Sequence, residues 1–94
     1  MPLFYFHICN GYGFTEDHEG QQLTDESAAR TQAIKEARAV MANDLRDGTL
    51  DLSSFIEVED EKRQLLFTLV FEEAVRLTKG TASEIRERRR PTRS

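Results

Sequence analysis

His7 and Cys9 are the side chains of this 94-residue chain most ready for chemistry. An imidazole, with an unperturbed pKa of about 6.5, suits acid–base work near neutral pH. A thiol supplies a nucleophile once deprotonated. The two stand two positions apart in the run Leu3-Phe4-Tyr5-Phe6-His7-Ile8-Cys9. On an extended strand that spacing puts them on one face but about 6.5–7 Å apart. A thiolate–imidazolium pair would need distortion, and His7 has no third group nearby in sequence to orient it. The expectation is a structural histidine, donating to a carbonyl or a tyrosine, beside a half-buried structural cysteine.

The other candidate clusters are weaker. Asp17-His18-Glu19 are metal-ligand types, but consecutive side chains on an extended chain point apart, and no second cluster follows at zinc-like spacing. A solvated loop is expected there, with Asp17 or Glu19 bracing Asn10-Gly11 or capping the following helix. Glu57, Glu59, Asp60, Glu61, Glu72 and Glu73 supply many carboxylates. Paired-carboxylate chemistry needs two of them facing one cleft, and Glu57 and Glu59 read instead as a solvated strand face. Gly11-Tyr12-Gly13 lacks the helix a phosphate loop requires. No catalytic residue, metal site or cofactor is therefore expected; a ligand site or enzyme centred on His7, Tyr5 and Tyr12 is the chemical alternative.

The elements that position these residues follow from patterning. Residues 3–9 are aromatic and β-branched and read as a strand. Asn10-Gly11 fits a type I′ turn, and a return strand from Tyr12 to about Glu16 would pair Cys9 with Tyr12, His7 with Phe14 and Tyr5 with Glu16. Thr24-Asp25-Glu26-Ser27 carries a helix cap and first-turn acids. No glycine or proline interrupts the next twenty residues. Ala29, Ala33, Ala37, Val40, Met41 and Leu45, with Ile34 at one margin, lie on one stripe, so a helix is predicted over about 25–47, ending at Gly48. Phe55 to Glu59 and Gln64 to Phe71 form a second hairpin, and residues 72–77 a last helical turn or two.

The predicted fold is thus α+β: a two-layer ββαββ domain over residues 1–78, with a four-stranded antiparallel sheet and one main helix on one face. The helix is assigned Phe4, Phe6, Ile8, Ile56, Val58, Leu65, Phe67, Leu69 and Phe71. Tyr5, His7, Tyr12, Phe14, Phe55, Leu66 and Val70 fall on the opposite face. Antiparallel sheets ordinarily place polar residues there, and an aromatic patch calls for a partner. Self-association through this face is the leading expectation, with cover by Ala74, Val75 and Leu77 as the intrachain alternative.

Charge divides the chain. Residues 79–94 carry six basic and two acidic side chains, whereas the rest carries seven basic and fifteen acidic, for a net −4. Arg86, Arg88, Arg89, Arg90 and Arg93 are candidate phosphate contacts, and a nucleic-acid-associated regulator is a further alternative. The acidic body opposes it. No run of 18 apolar residues exists, so no membrane-spanning helix is expected. A lone cysteine and an opening without a basic n-region point to a reducing cytoplasm.

Tyr5-Phe6-His7, Asn10-Gly11, Asp17, Glu19-Gly20, Leu23-Thr24-Asp25, Ala28-Ala29-Arg30 and Ala33 together resemble a small bacterial domain family of unknown function. Its members open with Tyr/Phe-Phe-His and then Asp-Gly, continue through an alanine- and arginine-rich helix, and end in a hairpin that Val58, Asp60-Glu61, Leu66 and Phe71 match. The likeness spans about residues 1–75. Asn10 stands where Asp is usual, Arg63 where a turn glycine is common and Val70 where proline is frequent. The resemblance implies one compact domain in a bacterial, cytoplasmic setting and transfers no catalytic residue.

Overall fold

The computed structural model describes residues 1–11 and 13–83. Its elements are β1 (Leu3–Asn10), β2 (Gly13–Thr15), β3 (Gln21–Gln22), α1 (Glu26–Arg46), β4 (Phe55–Glu59), β5 (Leu65–Val70) and a 3₁₀ turn, Phe71–Ala74. The fold is α+β, an antiparallel sheet in the order β2-β1-β4-β5 with the short β3 also on β1. β3 is an addition to the four predicted strands.

α1 forms where its cap and stripe placed it. The Asp25 carboxylate accepts from the Ala28 N–H at 2.9 Å. Ala29, Ala33, Ala37 and Met41 recur every fourth residue and are buried, the three alanines completely. They face Phe4, Phe6, Ile56, Val58, Leu69 and Phe71 in one core cluster. Alanine leaves no bulk on the helix, so its backbone settles close to the large strand side chains. Leu45, predicted on the stripe, is instead 55% exposed. The reason is length: 21 helical residues span about 31 Å, whereas the 5 residues of β4 span about 17 Å. The last turn therefore overhangs the sheet.

Three further expectations are corrected. The first hairpin pairs Cys9 with Phe14 and Asn10 with Gly13, two residues away from the predicted register. A two-residue slip keeps every side chain on its predicted face. Leu65 is 57% exposed rather than core, because an irregularity at Val58/Glu59 places it opposite Glu59; the half-buried Leu66 packs against the core instead. The predicted turn over 72–77 is a 3₁₀ turn that begins at Phe71. It sits on the helix side: Arg38 Nε donates to the Ala74 carbonyl at 2.7 Å, and Val75 and Leu77 are exposed. Described residues of the C-terminal segment thus pack toward α1 and not over the opposite sheet face.

Ala33→Leu should lower unfolding free energy by about 2 kcal/mol or more, through overpacking of the helix–sheet contact. Leu45→Ala should change it by less than about 0.5 kcal/mol. Urea unfolding of the two variants checks both values.

Candidate functional site

The site grows from an interruption in the sheet edge. β1 residue Ile8 pairs with Thr15 and β1 residue Phe4 pairs with Gln21. Four steps along β1 thus face six along the opposite chain, so residues 16–20 must leave the ladder. The Phe6 N–H at the gap would lose its partner. Asp17 fills the gap with its side chain, Oδ2 accepting from the Phe6 N–H at 3.0 Å. Its Oδ1 accepts from the N–H groups of Glu19 at 3.2 Å and Gly20 at 3.0 Å. Gly20 is required at the close: its φ is +75°, and a Cβ there would lie 3.0 Å from the Phe4 carbonyl oxygen.

The same loop captures His7. The Asp17 N–H donates to His7 Nδ1 at 3.0 Å, and His7 Nε2 lies 2.8 Å from Glu59 Oε1. Because Nδ1 accepts, the proton of the neutral ring is on Nε2, which donates to the Glu59 carboxylate. His7 is 3% exposed. Its ring stacks parallel to Tyr5 at 6.5 Å between centroids and meets Phe14 at 5.6 Å. Arg63 completes the layer, with its guanidinium carbon 3.5 Å from the Tyr5 ring centre and Nη1 3.7 Å from Glu59 Oε1. An open cleft of about 450 Å³ is lined by His7, Phe14, Glu16, Glu59 and Arg63.

Arg63 sits at φ +65°, a left-handed conformation that costs a non-glycine residue about 1 kcal/mol. It is the last residue of the three-residue loop 61–63, closed by the Asp60 N–H donating to the Gln64 carbonyl at 3.0 Å. Such loops favour glycine at that position. The arginine instead lays its side chain over Tyr5, a cation–π contact that offsets the strain.

Two carboxyls are displaced from their ordinary values. Burial pushes Asp17 up, but the N–H groups of Phe6, Gly20 and Glu19 and the field of His7 outweigh it, and the net direction is below 3.8. Burial pushes Glu36 above 4.5, and the charge of Asp17 adds to this against hydrogen bonds from Gln32 and Gln21. Both carboxyls border a second cleft of about 370 Å³ with Glu16, Glu19 and Gln21. Among the described residues no group of three or more His, Cys, Asp or Glu is placed to hold a metal ion.

The predicted residues separate in space. Tyr5, His7 and Phe14 come together, and half-buried Phe55 pairs with both Cys9 and Val70 on that face. His7 does not lie opposite Phe14; Glu57 of β4 is its pair. Tyr12 and Arg86, Arg88, Arg89, Arg90 and Arg93 lie outside the described residues. Asp17 neither braces Asn10-Gly11 nor caps α1; Gly13 N–H is held by Asn10 Oδ1 at 3.1 Å. Sequence reasoning read Glu59 as part of a solvated strand face and Arg63 only as a turn residue, whereas Glu59 holds the buried His7 ring. Their approach to His7 follows from β1 pairing with β4, and nothing local signals it.

Residues 3–72 match a family model described as a domain of unknown function, DUF6894. The chain belongs to that family. No curated protein and no solved structure matches it.

Asp17→Asn should cost about 1–2 kcal/mol at neutral pH, since one carbonyl oxygen cannot serve three N–H groups. A lowered folded pKa contributes stability above the unfolded value that is lost as pH falls through the folded one. The gap between wild type and Asp17→Asn should hold above about pH 5 and shrink below pH 3.8. Glu36→Gln has the opposite sign. Its raised pKa makes the wild type lose stability as pH rises, so the variant should melt higher at pH 7 and match wild type below 4.5. Thermal melts across pH 3–8 read both.

Proposed function

With membership of the DUF6894 family as the premise, we propose that this chain is a non-enzymatic interaction module that pairs with a second copy through the sheet face opposite α1. The observation that carries this reading is Phe14, 55% exposed at one end of that face. Half-buried Cys9, Phe55 and Val70 adjoin it. A large aromatic side chain left open beside other apolar side chains gains most from burial against another surface.

A two-fold partner suits such a patch, because an isologous contact sets the same residues against each other. The neighbouring side chains assist: Glu16, Glu59 and Arg63 line a cleft with Phe14 and supply both signs of charge, the usual arrangement of an apolar centre with a polar rim. The non-enzymatic part of the reading rests on His7. Both ring nitrogens are engaged within the chain, which leaves no lone pair directed at a substrate. Among the described residues no helix is long and apolar enough to cross a membrane, and the lone Cys9 fits a reducing compartment such as the cytoplasm.

Wild type should sediment as a dimer at micromolar concentration, and Phe14→Glu should sediment as a folded monomer with unchanged circular dichroism. A monomeric wild type at that concentration overturns the proposal.

A further inference from the structure

Independently of any partner, we propose that His7 and the loop 16–20 form an acid-released latch on the open edge of β1. The ring holds the loop through one atom. Nδ1 accepts from the Asp17 N–H at 3.0 Å, and only an unprotonated nitrogen can do so. When the imidazole gains a proton, Nδ1 becomes a donor and faces another donor. The backbone N–H cannot change its role, so that bond is lost.

The groups around the ring decide which side gives way. Glu59 on β4 lies 2.8 Å from Nε2, and Glu57 is the cross-strand neighbour of His7 on the same strand. Both place negative charge beside the ring. Glu16 on the cleft wall adds a third negative charge. Arg63 from the β4–β5 turn opposes them, but its guanidinium is spread over the Tyr5 ring. The charged ring is therefore retained by Glu59, and the loop is what moves.

Release has a defined consequence. The Asp17 backbone positions the carboxylate that holds the Phe6, Glu19 and Gly20 N–H groups. Once residue 17 shifts, the edge of β1 between β2 and β3 is left with a free donor at Phe6. The Asp17 carboxylate also faces the ring and is drawn to its charge, so the backbone N–H turns away while the carboxylate limits how far the loop travels.

Amide and imidazole NMR of the wild-type chain between pH 8 and pH 5 tests the latch. At pH 8 the His7 nitrogen shifts should report the Nε2–H tautomer. On acidification the Asp17 amide should shift by several tenths of a ppm, with the same midpoint as the His7 ring. The Phe6, Glu19 and Gly20 amides should lose at least tenfold in exchange protection, corrected for the intrinsic pH dependence of exchange. In His7→Asn, whose side-chain carbonyl can accept from the same N–H without titrating, those amides should stay protected to pH 5. Three results overturn the proposal: amides that stay protected while His7 titrates, a His7 ring that takes no proton before the whole domain unfolds, or a release with the same midpoint in His7→Asn.

Discussion

One helix has one inner face, and this constraint organises the molecule. α1 shields the side of the sheet that carries Phe4, Phe6, Ile56, Val58 and Leu69. The opposite side lies beyond the reach of α1. It carries a layer of alternating character: Arg63 on Tyr5, Tyr5 beside His7, His7 against Phe14, and Glu59 joining the imidazole to the guanidinium. A polar network of this kind is stable only when each member is satisfied. Among the described residues no buried side-chain nitrogen or oxygen lacks a partner.

The layer also explains how a histidine can be buried in a domain this small. An imidazole brings one donor and one acceptor in its neutral form. β4 supplies a carboxylate for the donor, and the loop 16–20 supplies a backbone N–H for the acceptor. Histidine–carboxylate pairs elsewhere orient a ring so that its second nitrogen can act on a substrate. In this chain the second nitrogen is spent on the fold. The deciding feature is where the other nitrogen points, and here it points at a backbone N–H.

The interruption of the sheet edge depends on that arrangement. Two surplus residues between β2 and β3 would leave a backbone donor of β1 unpaired, and an unpaired donor at a sheet edge is costly and invites another strand. Asp17 answers both problems with one residue. Its carboxylate replaces the missing strand at Phe6, and its N–H secures His7. Gly20 then lets the chain return close to the Phe4 carbonyl and resume pairing at Gln21.

Periodicity, with the cap at Asp25, the stop at Gly48 and strand-forming composition, determined the α+β class, the helix at 25–47 against the observed Glu26–Arg46, and the division of β1 side chains between two faces. These rest on local geometry, 3.6 residues per helical turn and two per strand, which each segment carries within itself. The alternation also survived the register error in the first hairpin, because a shift of two positions leaves parity intact. Tertiary structure decided the rest. Pairing of β1 with β4 brought Glu59 and Arg63, more than fifty residues away, to His7. The short helix-side core left Leu45 overhanging, and the irregularity at Glu59 turned Leu65 outward. Such outcomes depend on which strands become neighbours and how far each element reaches, and no residue's own type encodes the identity of its distant neighbour.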